Sequence, residues 1–267
     1  MANPAFSQSP AFATSTKVAP PIPTPTAGQL DTQFAIPVAT ADEMGRMTYQ
    51  DTIVKTLVSF LVLVVGAAVG WVVPVLGIPA AIAGFVIALV LIFRKKPSAP
   101  LTLAYAAVEG VFVGAISFYF SMLWHGIVPI AVFGTLGVVG VTLALFASGK
   151  IRASKRATQI FLVAMFGYLA FSLVNIVLML TGVADNYGGL RGVMIPGTNI
   201  PLGVPLGIFI VLLAAYSLVI DFEQVKTGVQ RGAPRAFGWT AAFGIVLTVV
   251  WLYLEILRLL SFIMPRS

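Results

Sequence analysis

The sequence predicts an all-α polytopic membrane protein with seven transmembrane helices, its N-terminus cytoplasmic and its C-terminus outside. Three observations predict it. The 267 residues are 59% hydrophobic and 9% charged, with a mean hydropathy of +1.00, whereas a soluble domain carries about a quarter charged residues. The apolar residues gather in separate runs long enough to cross a bilayer, about 20 residues each. The Lys and Arg residues collect in alternate connections between those runs. That asymmetry, more than the net charge of +7, sets orientation, so the positive balance is not read as a nucleic-acid signal. The chain has no cysteine, which excludes disulfides and thiolate metal sites.

Residues 1–46 are rich in Pro, Ala and Thr, with Pro21, Pro23 and Pro25 alternating. They carry no basic n-region followed by an apolar stretch, so no signal peptide is expected. This segment reads as a disordered cytoplasmic tail, and residues 47–267 as the seven-helix domain. Thr48-Tyr-Gln-Asp51 has the form of a capping box that starts the first span, about 52–73. Pro74, Gly77 and Pro79 make a short turn into the second, about 78–93. The third covers about 100–124, and His125-Gly126 closes it. The fourth covers about 127–147 and the fifth about 158–180. A Gly-, Asn- and Pro-rich loop leads to the sixth, about 202–220. A polar link over 221–235 leads to the seventh, within 237–264.

Arg94, Lys95 and Lys96 follow span two; Lys150, Arg152, Lys155 and Arg156 follow span four; Lys226, Arg231 and Arg235 follow span six. With Lys17 and Arg46 in the tail, all lie on one side of a seven-span chain. The opposite connections carry only Arg191, with Arg266 at the terminus. Small residues predict where helices touch, because close packing replaces the missing hydrophobic drive in lipid. They are Gly66 and Gly70 in span one, Ala106, Gly110, Gly114 and Ser117 in span three, and Gly134, Gly137 and Gly140 in span four.

Three acids fall at or inside the membrane: Glu109, Asp221 and Glu255. A charge there costs several kcal/mol, so it turns inward and is usually functional. Glu109 lies near mid-depth of span three. It is either a protonated acid hydrogen-bonded to a neighbouring helix or a cation ligand. Asp221 is expected at the cytoplasmic end of span six, either as an interfacial acid beside Lys226 or as part of a site. Glu255 lies deep in the last span, with Arg258 three residues on and able to pair with it.

Asp221-Phe-Glu-Gln-Val, Trp251-Leu-Tyr-Leu-Glu-Ile-Leu-Arg-Leu-Leu-Ser261 and Tyr105-Ala-Ala-Val-Glu-Gly-Val-Phe-Val-Gly-Ala-Ile-Ser117 resemble segments of the transmembrane Bax inhibitor motif (Bax inhibitor-1-like) family. The likeness is to bacterial, particularly actinobacterial, members, and it covers about 47–264. It implies a central last helix wrapped by the other six, and a bacterial cytoplasmic membrane as the location. It also implies a pH-sensitive calcium leak in which one acid of helix six and one of helix seven form a proton-sharing pair. By motif the pair falls on Asp221 and Glu255, with Glu109 and Arg258 as auxiliary intramembrane groups. On losing its proton the pair would separate and offer oxygens to calcium in a weak transit site. No resident cofactor is implied. Two departures stand out. The last helix has glutamate where the family usually has aspartate, and the stretch over 238–250 is longer. A straight helix from Phe237 would set Glu255 about 27 Å above its start, so pairing requires a bend near Gly238–Gly244.

Other classes fare worse. A retinal protein needs a lysine in its last helix, and span seven has none. The single histidine, His125, falls in a loop, which removes the usual Ser–His arrangement. Zinc and phosphate-loop motifs are absent, so no enzymatic activity is expected. Two alternatives to a cation leak stay open: a non-conducting scaffold or regulator of protein partners, and a proton-coupled carrier of a small solute.

Overall fold

Thr48 begins the first helix as predicted, its Oγ1 accepting the Asp51 backbone N–H at 3.2 Å. The computed structural model describes Thr26, residues 44–184 and residues 187–265. The expectation of a disordered tail over 1–46 therefore falls outside the described residues, except at Thr26 and 44–46. The helices are α1 (Tyr49–Val72), α2 (Gly77–Phe93), α3 (Ala99–Leu123), α4 (Ile127–Ala147), α5 (Lys155–Leu180), α6 (Gly203–Gln230) and α7 (Phe237–Ile263). All seven are long and apolar enough to cross a membrane, α2 together with the short 3-10 turn Pro74–Leu76. The described residues contain isolated β-bridges but no strand. This is the predicted all-α, seven-span architecture.

Two expectations change at α6. Its helix does not stop at Ile220 but runs to Gln230, so Asp221 lies inside a helix and the link to α7 shortens to 231–236. Nothing between 221 and 230 breaks the helix, and Glu223 and Lys226 pair one turn apart at 3.6 Å. Gly232, at φ +62°, turns the chain in the left-handed region that glycine tolerates.

The last helix is central, with half of its apolar window buried against 6% for α5. It is not wrapped by all six others. Helices α1, α3, α4 and α6 pack on it, whereas α2 lies mainly against α3 and α5 stands at the edge. The buried residues of α7, on more than one face, include Ala242, Val246, Val250, Leu252 and Leu257, and Tyr105 of α3 packs on Phe243 with ring centroids 4.9 Å apart.

The predicted small-residue contacts divide. A Cβ on Gly66 or Gly70 would run into the backbone of Ala107 or Val111, and one on Gly110 or Gly114 into the backbone of Leu63 or Ala67. These four glycines therefore interlock α1 and α3 at backbone contact. Gly137 and Gly140 of α4 face open space, and Gly134 only meets the Ile256 side chain. The α4 glycines are not a packing seam.

The N-terminal approach and the α6–α7 link meet on one face. Met47 N–H donates to Ala233 O at 2.7 Å, and Arg235 N–H donates to Gly45 O at 2.9 Å. Asp51 accepts from Lys55 and, at 2.8 Å, from Arg235 Nε. Lys55 Nζ also donates to Arg235 O at 2.7 Å and lies over the Trp239 ring. A lysine 8% exposed is tolerated because it has a carboxylate, a carbonyl and a π-face. This end of the bundle, shared with the connections α2–α3 and α4–α5, is the basic face.

Candidate functional site: two separate acids on the last helix

Asp221 faces α7 across the hairpin. Thr248 Oγ1 donates to Asp221 Oδ2 at 2.6 Å, and Gly244, one turn nearer the basic face, leaves room for Oδ1. A cavity of ≈ 170 Å³ opens beside the acid, lined by Met47, Asp221, Gln224, Thr240 and Gly244 among others. No lysine or arginine lines it. Met47 reaches it because the bridge to Ala233 holds that residue under the hairpin.

Glu255 is 2% exposed and sits in a different environment. Its Oε1 accepts from Tyr168 of α5 and, at 2.9 Å, from Arg258 Nη1. Its Oε2 takes no hydrogen bond and faces Arg191 Nη1 at 3.6 Å, an ion-pair distance. Arg191 comes from the loop between α5 and α6, on a short 3-10 turn over Gly189–Gly192. Its Nη2 donates to the Tyr168 hydroxyl at 2.7 Å, and Arg258 Nη1 reaches the same hydroxyl at 3.2 Å. The guanidinium of Arg191 also lies near the Tyr168 and Phe171 rings. One carboxylate thus holds two arginines and a tyrosine. Asn175 braces the loop, accepting from Leu190 N–H at 2.7 Å and donating to Gly188 O at 3.2 Å.

The proposed Asp221–Glu255 pair is therefore not brought together. α7 is one continuous helix from Phe237 to Ile263, without the bend that pairing needed. Thr248, the residue that meets Asp221, precedes Glu255 by two helical turns, about 10 Å of rise. The cause is that α6 continues past Asp221 and α7 is unbroken: in this antiparallel register Glu255 stands opposite the level of Ala214, not Asp221. Glu255, the second acid expected to meet calcium, lies instead between Arg258 and Arg191. Among the described residues no group of three His, Cys, Asp or Glu side chains could hold a metal ion.

Glu109 is half-buried on α3 and points its Oε2 at Gly84 of α2, where an added Cβ would come within 2.7 Å. No hydrogen bond or ion pair to it forms among the described residues. It follows Tyr105, which packs on Phe243 of α7, by one turn of α3 and so lies on the same side of that helix, but it makes no bond to Asp221 or Glu255 among the described residues. Arg258 is with Glu255, as its spacing suggested.

A family model described as Bax inhibitor 1 like matches residues 3–265. The chain belongs to this family. A search of curated proteins finds no match to it. The Bax inhibitor 1 like match reaches residue 3 and so includes the N-terminal segment, which the sequence resemblance had left out.

Sequence reasoning missed three residues of these sites, Arg191, Thr248 and Tyr168, and Lys55 at the basic face. Arg191 carried a signal, as the one basic residue in the connections opposite the basic face. Thr248 carried a weak one, as a hydroxyl inside an apolar run. Tyr168 and Lys55 carried none that separates them from an interfacial aromatic or an orienting lysine.

Proposed function

We propose that this integral membrane protein is a pH-sensitive cation leak of the bacterial cytoplasmic membrane, a transport protein and not an enzyme. Calcium is a carried ion, and Asp221 is the acid that meets it. What carries the reading is the Asp221 carboxyl, held by a single hydroxyl beside a cavity with no basic lining. The cavity lies at the basic face, the cytoplasmic one by the charge rule. A hard cation takes oxygen ligands, and here one carboxylate, Gln224, Thr240 and water would serve. So few protein oxygens suit brief residence rather than storage. The sign of the pH effect follows: protonating Asp221 removes the charge that draws the ion, so conduction falls as pH drops through its titration. Glu255, Arg191, Arg258 and Tyr168 form the barrier on the far side, where two guanidinium groups repel an arriving cation.

The same barrier favours a second reading, a non-conducting membrane scaffold in which Glu255 only ties α5 and its loop to α7. Calcium flux into liposomes reconstituted with the protein separates the two. Asp221→Asn is expected to lower the flux and flatten its pH profile. Unchanged flux and an unchanged profile would leave the scaffold.

A further inference from the structure

A second and larger cavity, of ≈ 510 Å³, lies away from both acids. Helices α1 and α4 each pack on α7 but not closely on each other, so a crevice stays open between them. Its walls are Phe60, Val64 and Trp71 of α1 and Val132 of α4, and its floor is Val249 and Tyr253 of α7. Small-molecule sites have volumes of about 300–1,000 Å³, so the crevice has the capacity of a binding site.

We propose that this crevice binds one acyl chain of a bilayer lipid, as a fixed occupant distinct from the lipid around the protein. Its walls are membrane-crossing helices, so whatever fills it comes from the hydrocarbon. No charged residue lines it. The hydroxyls that do are already engaged. Tyr253 Oη and Ser117 Oγ are 2.7 Å apart, Ser117 Oγ donates to Val113 O at 2.6 Å, and Thr135 Oγ1 donates to Ala131 O at 2.7 Å. The one further side-chain donor of the lining is the Trp71 indole N–H, at one end of the crevice. The length fits as well. Phe60 to Trp71 spans 11 residues of helix, about 16 Å, and half of a bilayer's hydrocarbon is about 15 Å thick. Trp71 is one residue from the end of α1, on the side away from the basic face, and tryptophan favours the membrane interface. The chain therefore enters beside Trp71, in the leaflet away from the basic face, and ends near Phe60.

The test uses the full chain in nanodiscs containing a phospholipid with a diazirine at the end of its acyl chain. Photo-crosslinks mapped by mass spectrometry are expected at Phe60, Val64 and Val249. They should exceed several-fold those at Leu169 of α5 and Phe85 of α2, exposed residues near the middle of their helices. Ala68→Trp, which fills the crevice from α1, should remove the first set and spare the second. Equal labelling of all five positions in the unaltered protein would overturn the proposal, whether or not the variant folds. So would labelling at Phe60 by a diazirine placed in the headgroup, since that end belongs beside Trp71.

Discussion

Thr248 Oγ1 lies 2.6 Å from Asp221 Oδ2, and this contact marks the register of the α6–α7 hairpin. Residue 221 is nine positions before the end of α6 and residue 248 eleven after the start of α7. The two ride at the same height only because α6 continues past Asp221.

Thr248→Val keeps the side-chain shape and removes the donor. A hydrogen bond to a charged group contributes about 1.5–3 kcal/mol, and the variant is expected to lose that much in denaturant unfolding from micelles. Thr248→Ser should retain most of it. If valine and serine behave alike, the hydroxyl does not hold the hairpin.

Glu255→Gln leaves Arg191 and Arg258 without their carboxylate. Breaking a buried ion pair from one side costs about 3–5 kcal/mol. The loss should centre on the attachment of α5, whose side chains are mostly outside the core. Hydrogen exchange is expected to rise in α5 and in the 187–192 turn before it rises in α1 or α3. Adding Arg191→Met should recover part of the loss, because the second change removes an unpaired buried charge. A double variant as weak as the sum of the two singles would mean that they do not interact.

Glycines of similar spacing should respond oppositely. Gly70→Val and Gly114→Val place carbon against a neighbouring backbone. They are expected to separate α1 from α3 and to lower the yield of folded protein sharply. Gly137→Ala meets nothing within 4 Å and should be neutral or stabilising by up to about 1 kcal/mol. Thermal unfolding of the purified variants gives the order directly.

Much of the fold was legible, and the reason is physical. A bilayer admits few backbone solutions, so seven apolar runs and a one-sided set of basic residues suffice to lay out the chain. The α1–α3 contact was legible too, because only glycine permits backbone approach. The α4 glycines carried the same signal without the contact, since spacing cannot say which face a helix turns to its neighbours. The site was less legible. Asp221 and Glu255 are both turned inward, as their cost in lipid demands. Their partners come from 27 residues away in one case, and from a loop and a peripheral helix in the other. The family likeness supplied a pairing that the register of α6 against an unbroken α7 does not bring together.

The centrality of α7 has a consequence for biogenesis. The most deeply enclosed helix is synthesised after the helices that pack on it, so the order of synthesis runs opposite to the order of enclosure. Helices α1 and α3 can lock through their glycines early in translation. Helices α4 and α6 can meet each other earlier, but they reach their shared neighbour α7 only when residues 237–263 arrive. Until then Lys55 and Asp51 wait for Arg235, about 180 positions downstream. The unfinished bundle must stay open enough to receive its own axis, and a ribosome that stalls before Phe237 would leave α1, α3, α4 and α6 without the helix they share.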